Sequence, residues 1–220
     1  DLALPYVIKP VGNIQVGIIG LASIGTPKTT MPTHVKDLTF APYAETLETI
    51  IPEVKDDGAD LLIVISHLCS REMEALAQTA GELGVAMIGG GHCHERVNRT
   101  ADAGVLLVES QAYMRAYTRV DLTVDPRTGE VIESTAQIKE NLTGPQDEAL
   151  AAIVDAWQIR LDDALDQVIG YTEQGIRQRS PEMFNLVTDA WLAAYPADIA
   201  MSNSGGFRQD IPAGDITLAE

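Results

Sequence analysis

Short unbroken apolar runs recur through the first half of the chain, and between them the apolar positions switch to a helical spacing. Residues 4–11 and 14–21 (IQVGIIGL) are two such runs, separated by Gly12-Asn13, a pair that suits a tight hairpin turn. Residues 60–65 (DLLIVI) and 85–88 (VAMI) are apolar enough to predict strands buried on both faces. Between them, residues 71–83 place Met73, Leu76, Ala77, Ala80 and Leu83 on one helical face, with Gly84 positioned to close the helix. Residues 42–54 (PYAETLETIIPEV) show the same spacing, and Pro52 is expected to kink or break the last turn. Residues 22–40, rich in Thr, Pro and Gly, have no period and predict a long loop with a solvated His34.

Beyond His94 the pattern predicts strands at 104–108, 118–124 and 131–138, the last two joined by a turn at 125–130. Alternating strands and helices followed by consecutive strands indicate an α/β fold with α+β layering, a parallel core ending in an antiparallel meander. Residues 141–145 read as a linker and 146–165 as a long amphipathic helix connecting two domains. A second unit follows: a strand at 168–172, a helix capped by Ser180 with Pro181 in its first position, a strand at 198–201, the loop SNSGGFR, and a further element opening at 212–217. There is no internal repeat and no low-complexity tract.

Composition narrows the partners. The 220 residues allow one large domain or parts of two, and 32 acidic against 15 basic side chains give a formal charge of −17. That balance repels nucleic acid and anionic membranes. No run of about 18 uncharged apolar residues is present, so no membrane span is expected. The opening DLALPYVIKP is no signal peptide and reads as the middle of a chain. Cys69 and Cys93 are too few for a disulfide framework and are expected to be two small buried thiols, with metal ligation and a Cys nucleophile as the alternatives.

The candidate chemistry lies at two strand ends. Ser66-His67 follows the run at 60–65, and Gly89-Gly90-Gly91 then His92 and His94 follow the run at 85–88. In open α/β sheets ligands gather at the carboxyl ends of parallel strands, so the three imidazoles are expected to meet in one crevice and to hold a metal. His-x-His on an extended backbone would place both rings on the same side. Read as a dinucleotide loop, the three glycines fail, because HCHERVNRTADAG has no helical period and hence no helix N-terminus for a pyrophosphate. The loop SNSGGFR pairs a glycine turn, whose backbone N–H groups are expected to be free, with an arginine fork suited to phosphate or carboxylate. An ordinary turn with a surface arginine is the other reading.

These stretches resemble a known family. ADLLIVISHLCSREMEALA, IGGGHCH and VLLVESQAYMRAYTRVDLTVD are similar to the C-terminal half of the calcineurin-like metallophosphoesterase domain of the bifunctional metallophosphatase/5′-nucleotidase family. That family includes UDP-sugar hydrolases and 2′,3′-cyclic-nucleotide 2′-phosphodiesterases. FNLVTDAWLAAYPADIAMSNSGGFRQDIPAGDIT resembles the opening of its C-terminal substrate-binding domain, where G-N-L-x-x-D-A and N-G-G-x-R are expected.

The resemblance implies residues 1–143 as the C-terminal half of a metallophosphoesterase β-sandwich flanked by helices, 144–165 as a linker helix, and 166–220 as the incomplete start of a 5′-nucleotidase C-terminal α/β domain. It implies two divalent ions, manganese, zinc or similar, with His67 and His92 on one and His94 on the other. Asn203, Gly205, Gly206, Arg208 and Arg179 would hold a nucleotide or other phosphate ester. The reaction would be an in-line displacement by metal-activated water, with no covalent phosphoenzyme. Export, to the cell surface or periplasm, is the family's habit. The family's D-x-H, bridging Asp and G-N-H segments lie upstream of this type of segment, so the catalytic residues are expected there, and the chain alone is expected to be inactive without that N-terminal half. Phe184 stands in place of the Gly of G-N-L, Ser204 in place of the first Gly of N-G-G-x-R, and Cys93 inside G-H-x-H. A thiosulfohydrolase on the same scaffold, a mononuclear zinc hydrolase built from His67, His92 and His94, and a non-catalytic anion-binding module are the alternatives.

Overall fold

The computed structural model describes residues 3–142 and 144–219, without the side chain of Asp163. Asp1, Leu2, Thr143 and Glu220, at the expected domain and linker boundaries, lie outside the described residues. Backbone contacts divide the chain into two compact units, Asp1–Gly144 and Pro145–Glu220.

The first unit is built on a six-stranded sheet. Strands β1 (Tyr6–Val11) and β2 (Ile14–Leu21) form the predicted hairpin, with Val11 opposite Ile14 and Gly12 at φ +60°. Where a loop was expected, the chain makes two single-turn helices, α1 (Thr26–Thr29) and α2 (Pro32–Val35), each with a proline in its first two positions, where a missing N–H costs nothing. His34 is exposed.

Helix α3 (Tyr43–Asp56) runs through Pro52 without breaking. Its Leu47, Ile51 and Val54 are 0–1% exposed. Burying each contributes about 1.5–3 kcal/mol, which together exceeds the roughly 3 kcal/mol that a proline costs inside a helix.

Strand β3 (Leu61–Ser66), helix α4 (Ser70–Glu82) and strand β4 (Val85–Gly89) follow, then β5 (Arg96–Thr100) and β6 (Leu106–Ser110). The sheet order is β1-β2-β3-β4-β6-β5, with β2, β3, β4 and β6 parallel and the two edge strands antiparallel to their neighbours. Edge strand β5 had no apolar run to reveal it, since of its five residues only Val97 is buried. Polar side chains on an edge also keep it from pairing with a further strand.

Helices α3 and α4 cover one face of the sheet. Leu62, Val64, Ile88 and Leu107 from the strands meet Leu47, Ile51, Met73, Leu76 and Ala80 from the helices. The other face carries a ribbon of β7 (Ala116–Val124) and β8 (Val131–Glu140), held to β5 by Asn98 Nδ2 donating to Ala136 O at 2.8 Å and by the Arg96–Glu140 ion pair at 2.6 Å. An open apolar cleft of about 430 Å³ lies between Leu61, Ile63 and Met87 on the sheet and Val120 and Leu122 on the ribbon. Burial of β3 on both faces is thus incomplete: Ile65 is 55% exposed.

The second unit begins with helix α5 (Glu148–Leu165), capped by Asp147, whose side chain accepts from Leu150 N. Strand β9 (Val168–Thr172) pairs antiparallel with β10 (Gly214–Thr217), the element that the sequence left open. Helix α6 (Pro181–Ala194) starts as predicted, with Ser180 Oγ accepting from Met183 N at 3.2 Å. The strand expected at 198–201 does not form. Ile199 and Met201 are 74% and 84% exposed, so no apolar face is buried to hold a ladder there.

Candidate functional site

The loops after β3 and β4 lie side by side at the carboxyl ends of the parallel strands. Ser66 Oγ donates to Gly89 O at 2.8 Å, His67 N to Leu21 O at 3.0 Å, and Gly91 N to Leu68 O at 3.0 Å. This closeness explains Gly90: a Cβ there would meet Met73 Cε at 2.5 Å and the carbonyl oxygen of Leu68 at 2.9 Å.

The backbone then leaves the extended conformation on which the His-x-His argument rested. His92 and His94 take φ of +73° and +59°, the left-handed region, at a cost of about 1–2 kcal/mol each. The two rings part as a result. His92 Nδ1 faces His67 Nε2 at 3.1 Å, with ring centroids 4.7 Å apart, whereas His94 packs edge-on against Tyr113 at 5.6 Å.

Two imidazole nitrogens bound to one ion at about 2.0–2.1 Å stand roughly 2.8–3.4 Å apart between octahedral and tetrahedral angles. The His67–His92 pair fits two adjacent positions on one divalent ion. Among the described residues no group of three or more His, Cys, Asp or Glu side chains is placed to hold an ion, so the three-histidine mononuclear centre is not formed.

The cysteines are not free thiols. Cys69 and Cys93 form a disulfide, with Cα atoms 5.1 Å apart, tying the loop of His67 to the loop of His92 and His94. Such bonds persist in oxidising compartments. Two carboxylates reinforce the tie. Glu95 Oε2 accepts from Ser70 N at 2.9 Å, and Ser70 holds the Glu95 carboxyl below the ordinary range. Glu95 N in turn donates to Glu109 Oε1 at 3.0 Å. Glu109, 3% exposed at the end of β6, leaves Oε2 without a partner among the described residues, and burial pushes its carboxyl up. Sequence reasoning gave Glu109 no part in this site, although a carboxylate closing an apolar strand was a signal.

In the second unit, Ser204–Gly206 forms a single 3₁₀ turn. Its Gly206 N–H is engaged, donating to Asn203 O at 3.0 Å, and Arg208 Nε donates to Gly205 O at 2.8 Å. The segment that carries Arg179 is brought alongside. Ile176 pairs with Ile211, Gln178 N donates to Asp210 Oδ1 at 2.8 Å, and the Gln178 amide nitrogen can be turned to reach Arg208 O at 3.2 Å and Phe207 O at 3.3 Å. Phe184 meets Phe207 at 5.1 Å between ring centroids. An open recess of about 500 Å³ there is lined by Arg177, Gln178, Arg179, Ser180 and Asp210.

A mixed sheet covered by helices on one face and a ribbon on the other, with ring nitrogens paired at its strand ends, defines a layered α/β protein. Residues 164–220 match the family model described as the 5′-nucleotidase C-terminal domain. Over 94% of its length the chain is 25% identical to a protein named cell wall protein Lmo0130 from Listeria monocytogenes, and over 87% it is 28% identical to human 5′-nucleotidase. A 5′-nucleotidase precursor from Thermus thermophilus superimposes with a TM-score of 0.74 at 25% identity, covering 97% of this chain. The chain is thus similar to proteins named 5′-nucleotidase over 87–97% of its length. It spans 31%, 37% and 47% of the lengths of these three proteins.

Proposed function

We propose that this chain is part of a metal-dependent phosphohydrolase acting on 5′-nucleotides and cyclic nucleotides. The observation that carries the reading is the His67 Nε2–His92 Nδ1 pair at 3.1 Å, spaced for two positions on one ion. His94 would serve a second ion after turning from Tyr113. Two divalent ions, when bound, would polarise the phosphoryl oxygens and lower the pKa of an attacking water. Further ligands and the catalytic residues would come from outside these residues, so the 220-residue chain alone is expected to bind metal weakly.

Residues 1–143 would be the C-terminal half of a metallophosphoesterase domain, 144–165 a connecting helix and 166–220 the start of the substrate-binding domain. There Arg208, fixed by Gly205 O, and Arg179, across the Gln178 contacts, would hold the nucleotide with Asn203, Gly205 and Gly206. The Cys69–Cys93 disulfide and a relative named as a cell wall protein support export.

The test is phosphate release from AMP with Mn²⁺. A polypeptide extended upstream to include D-x-H and G-N-H segments should be active, and the 220-residue chain should stay at background. His67→Ala or His92→Ala in the extended form should lower the rate by at least about 100-fold, since losing even a residue that only orients a metal ligand costs about 10–100-fold. An unchanged rate in either variant, or faster turnover of sulfur esters than of AMP, would overturn the reading.

A further inference from the structure

We infer that the Cys69–Cys93 disulfide is a positioning cross-link that sets the His67–His92 nitrogen pair for metal binding. The inference rests on the metal reading above for its consequence, and on geometry alone for the positioning itself.

The bond joins the two segments whose relative placement defines the pair. Cys69 lies two residues after His67, at the N-cap of α4, and Cys93 lies one residue after His92. The anchors on the strand side hold Ser66, His67, Gly90 and Gly91, and the hydrogen bonds to Glu95 hold the segment after the histidines. Between those two sets of anchors, His92 and His94 are exposed and both left-handed, a conformation that persists only when the surroundings impose it. The cross-link attaches to the one residue between them.

Without the bond, rotation about the His92 and His94 backbone would carry the His92 ring off His67 while leaving the sheet, α4 and the Glu95 contacts intact. A bond that only stabilised the fold could sit anywhere across the sheet. Here it spans the 24 residues separating two candidate ligand loops, and Cys93 is exposed, so a reductant can reach it.

The experiment compares the wild-type chain with Cys69→Ala/Cys93→Ala by NMR of the imidazole C–H signals. In metal-free protein the wild type should show a cross-peak between the His67 and His92 rings, and the variant should lose it while keeping its far-UV circular dichroism. On adding Mn²⁺, the concentration that half-broadens the His67 and His92 signals should rise at least tenfold in the variant. Wild type reduced with a water-soluble phosphine should behave like the variant. In that step the S–S bond breaks, the phosphine takes the oxygen of a water as its oxide, and the two protons of that water go to the thiols.

A variant that keeps both the ring cross-peak and the wild-type Mn²⁺ response overturns the inference. So does loss of the circular dichroism signal in both the variant and the reduced wild type, which would make the bond a general stabiliser. If wild-type signals do not respond to Mn²⁺ although the cross-peak is present, it is the metal reading that fails, and the cross-peak in the variant alone decides the positioning role.

Discussion

Glu109→Gln should make the metal-free protein more stable at neutral pH, and the gain should vanish in acid. The Glu109 side chain is 3% exposed, its Oε1 accepts from Glu95 N at 3.0 Å, and its Oε2 has no partner among the described residues. Burial raises its carboxyl above the ordinary value. The folded state therefore holds this proton more tightly than the unfolded chain. The corresponding stability is fully present below the unfolded carboxylate range and is lost as pH rises through the folded value.

Glutamine keeps the shape and the acceptor to Glu95 but removes the charge. An unsatisfied buried polar group costs about 1–3 kcal/mol, and the amide brings an unpaired N–H of its own, so the net gain near neutrality is about 1 kcal/mol. For a unit of this size that is a rise in Tm of about 2–4 °C. Thermal melts followed by circular dichroism in a chelator, at about pH 7.5 and about pH 3, measure it, because below the ordinary carboxylate pKa both states are largely protonated. An equal shift at both pH values, or a less stable variant at about pH 7.5, would refute the argument that burial of the charge is what costs.

Gly90→Ala should destabilise the first unit by about 1–3 kcal/mol, as overpacking does, because the new methyl meets the backbone oxygen of Leu68 at 2.9 Å as well as the movable end of Met73; urea unfolding measures it, and a neutral result would mean that the loop yields freely. Ser180→Ala should cost about 1 kcal/mol by removing the cap on Met183 N, and Ser180→Asp should restore most of it in the same assay. Arg208→Lys keeps the charge but loses the Nε donor to Gly205 O, so AMP affinity measured by calorimetry should fall about tenfold, the loss of one charged hydrogen bond; unchanged affinity would remove this arginine from the proposed nucleotide site.

The elements that sequence revealed are those whose side chains alone determine the outcome. The β1–β2 hairpin follows from Gly12-Asn13 between two apolar runs, and the Ser180-Pro181 start of α6 from a cap and a fixed φ. Met73, Leu76, Ala77 and Ala80 occupy the buried face that their spacing demanded. What failed depended on tertiary surroundings. Strand β5 exists because β6 offers an edge to pair with, and α3 survives Pro52 because its apolar face is buried. Conversely, residues 198–201 had the composition of a strand but no neighbour among the described residues to supply the ladder.

The site divides along the same line. His67 and His92 could be placed at strand ends from apolar runs alone, but their pairing and the disulfide are consequences of register. Ile65 pairs with Gly89 across β3 and β4. Counting four residues on from each partner reaches Cys69 and Cys93, and parallel strands carry equal offsets to neighbouring positions. Knowing that the strands were adjacent and in that register would have predicted the bond; composition, which showed only two cysteines, argued for free thiols. The left-handed turn at His92 and His94 was beyond such counting: histidine is enriched at positive φ, but nothing in H-C-H requires it. It follows from the cross-link at Cys93 together with Glu95 held by Ser70 and Glu109, constraints that come from three separate segments of the chain. A substitution that relieves any one of them should therefore act first on the direction of the His92 ring and only afterwards on the stability of the sheet beneath it.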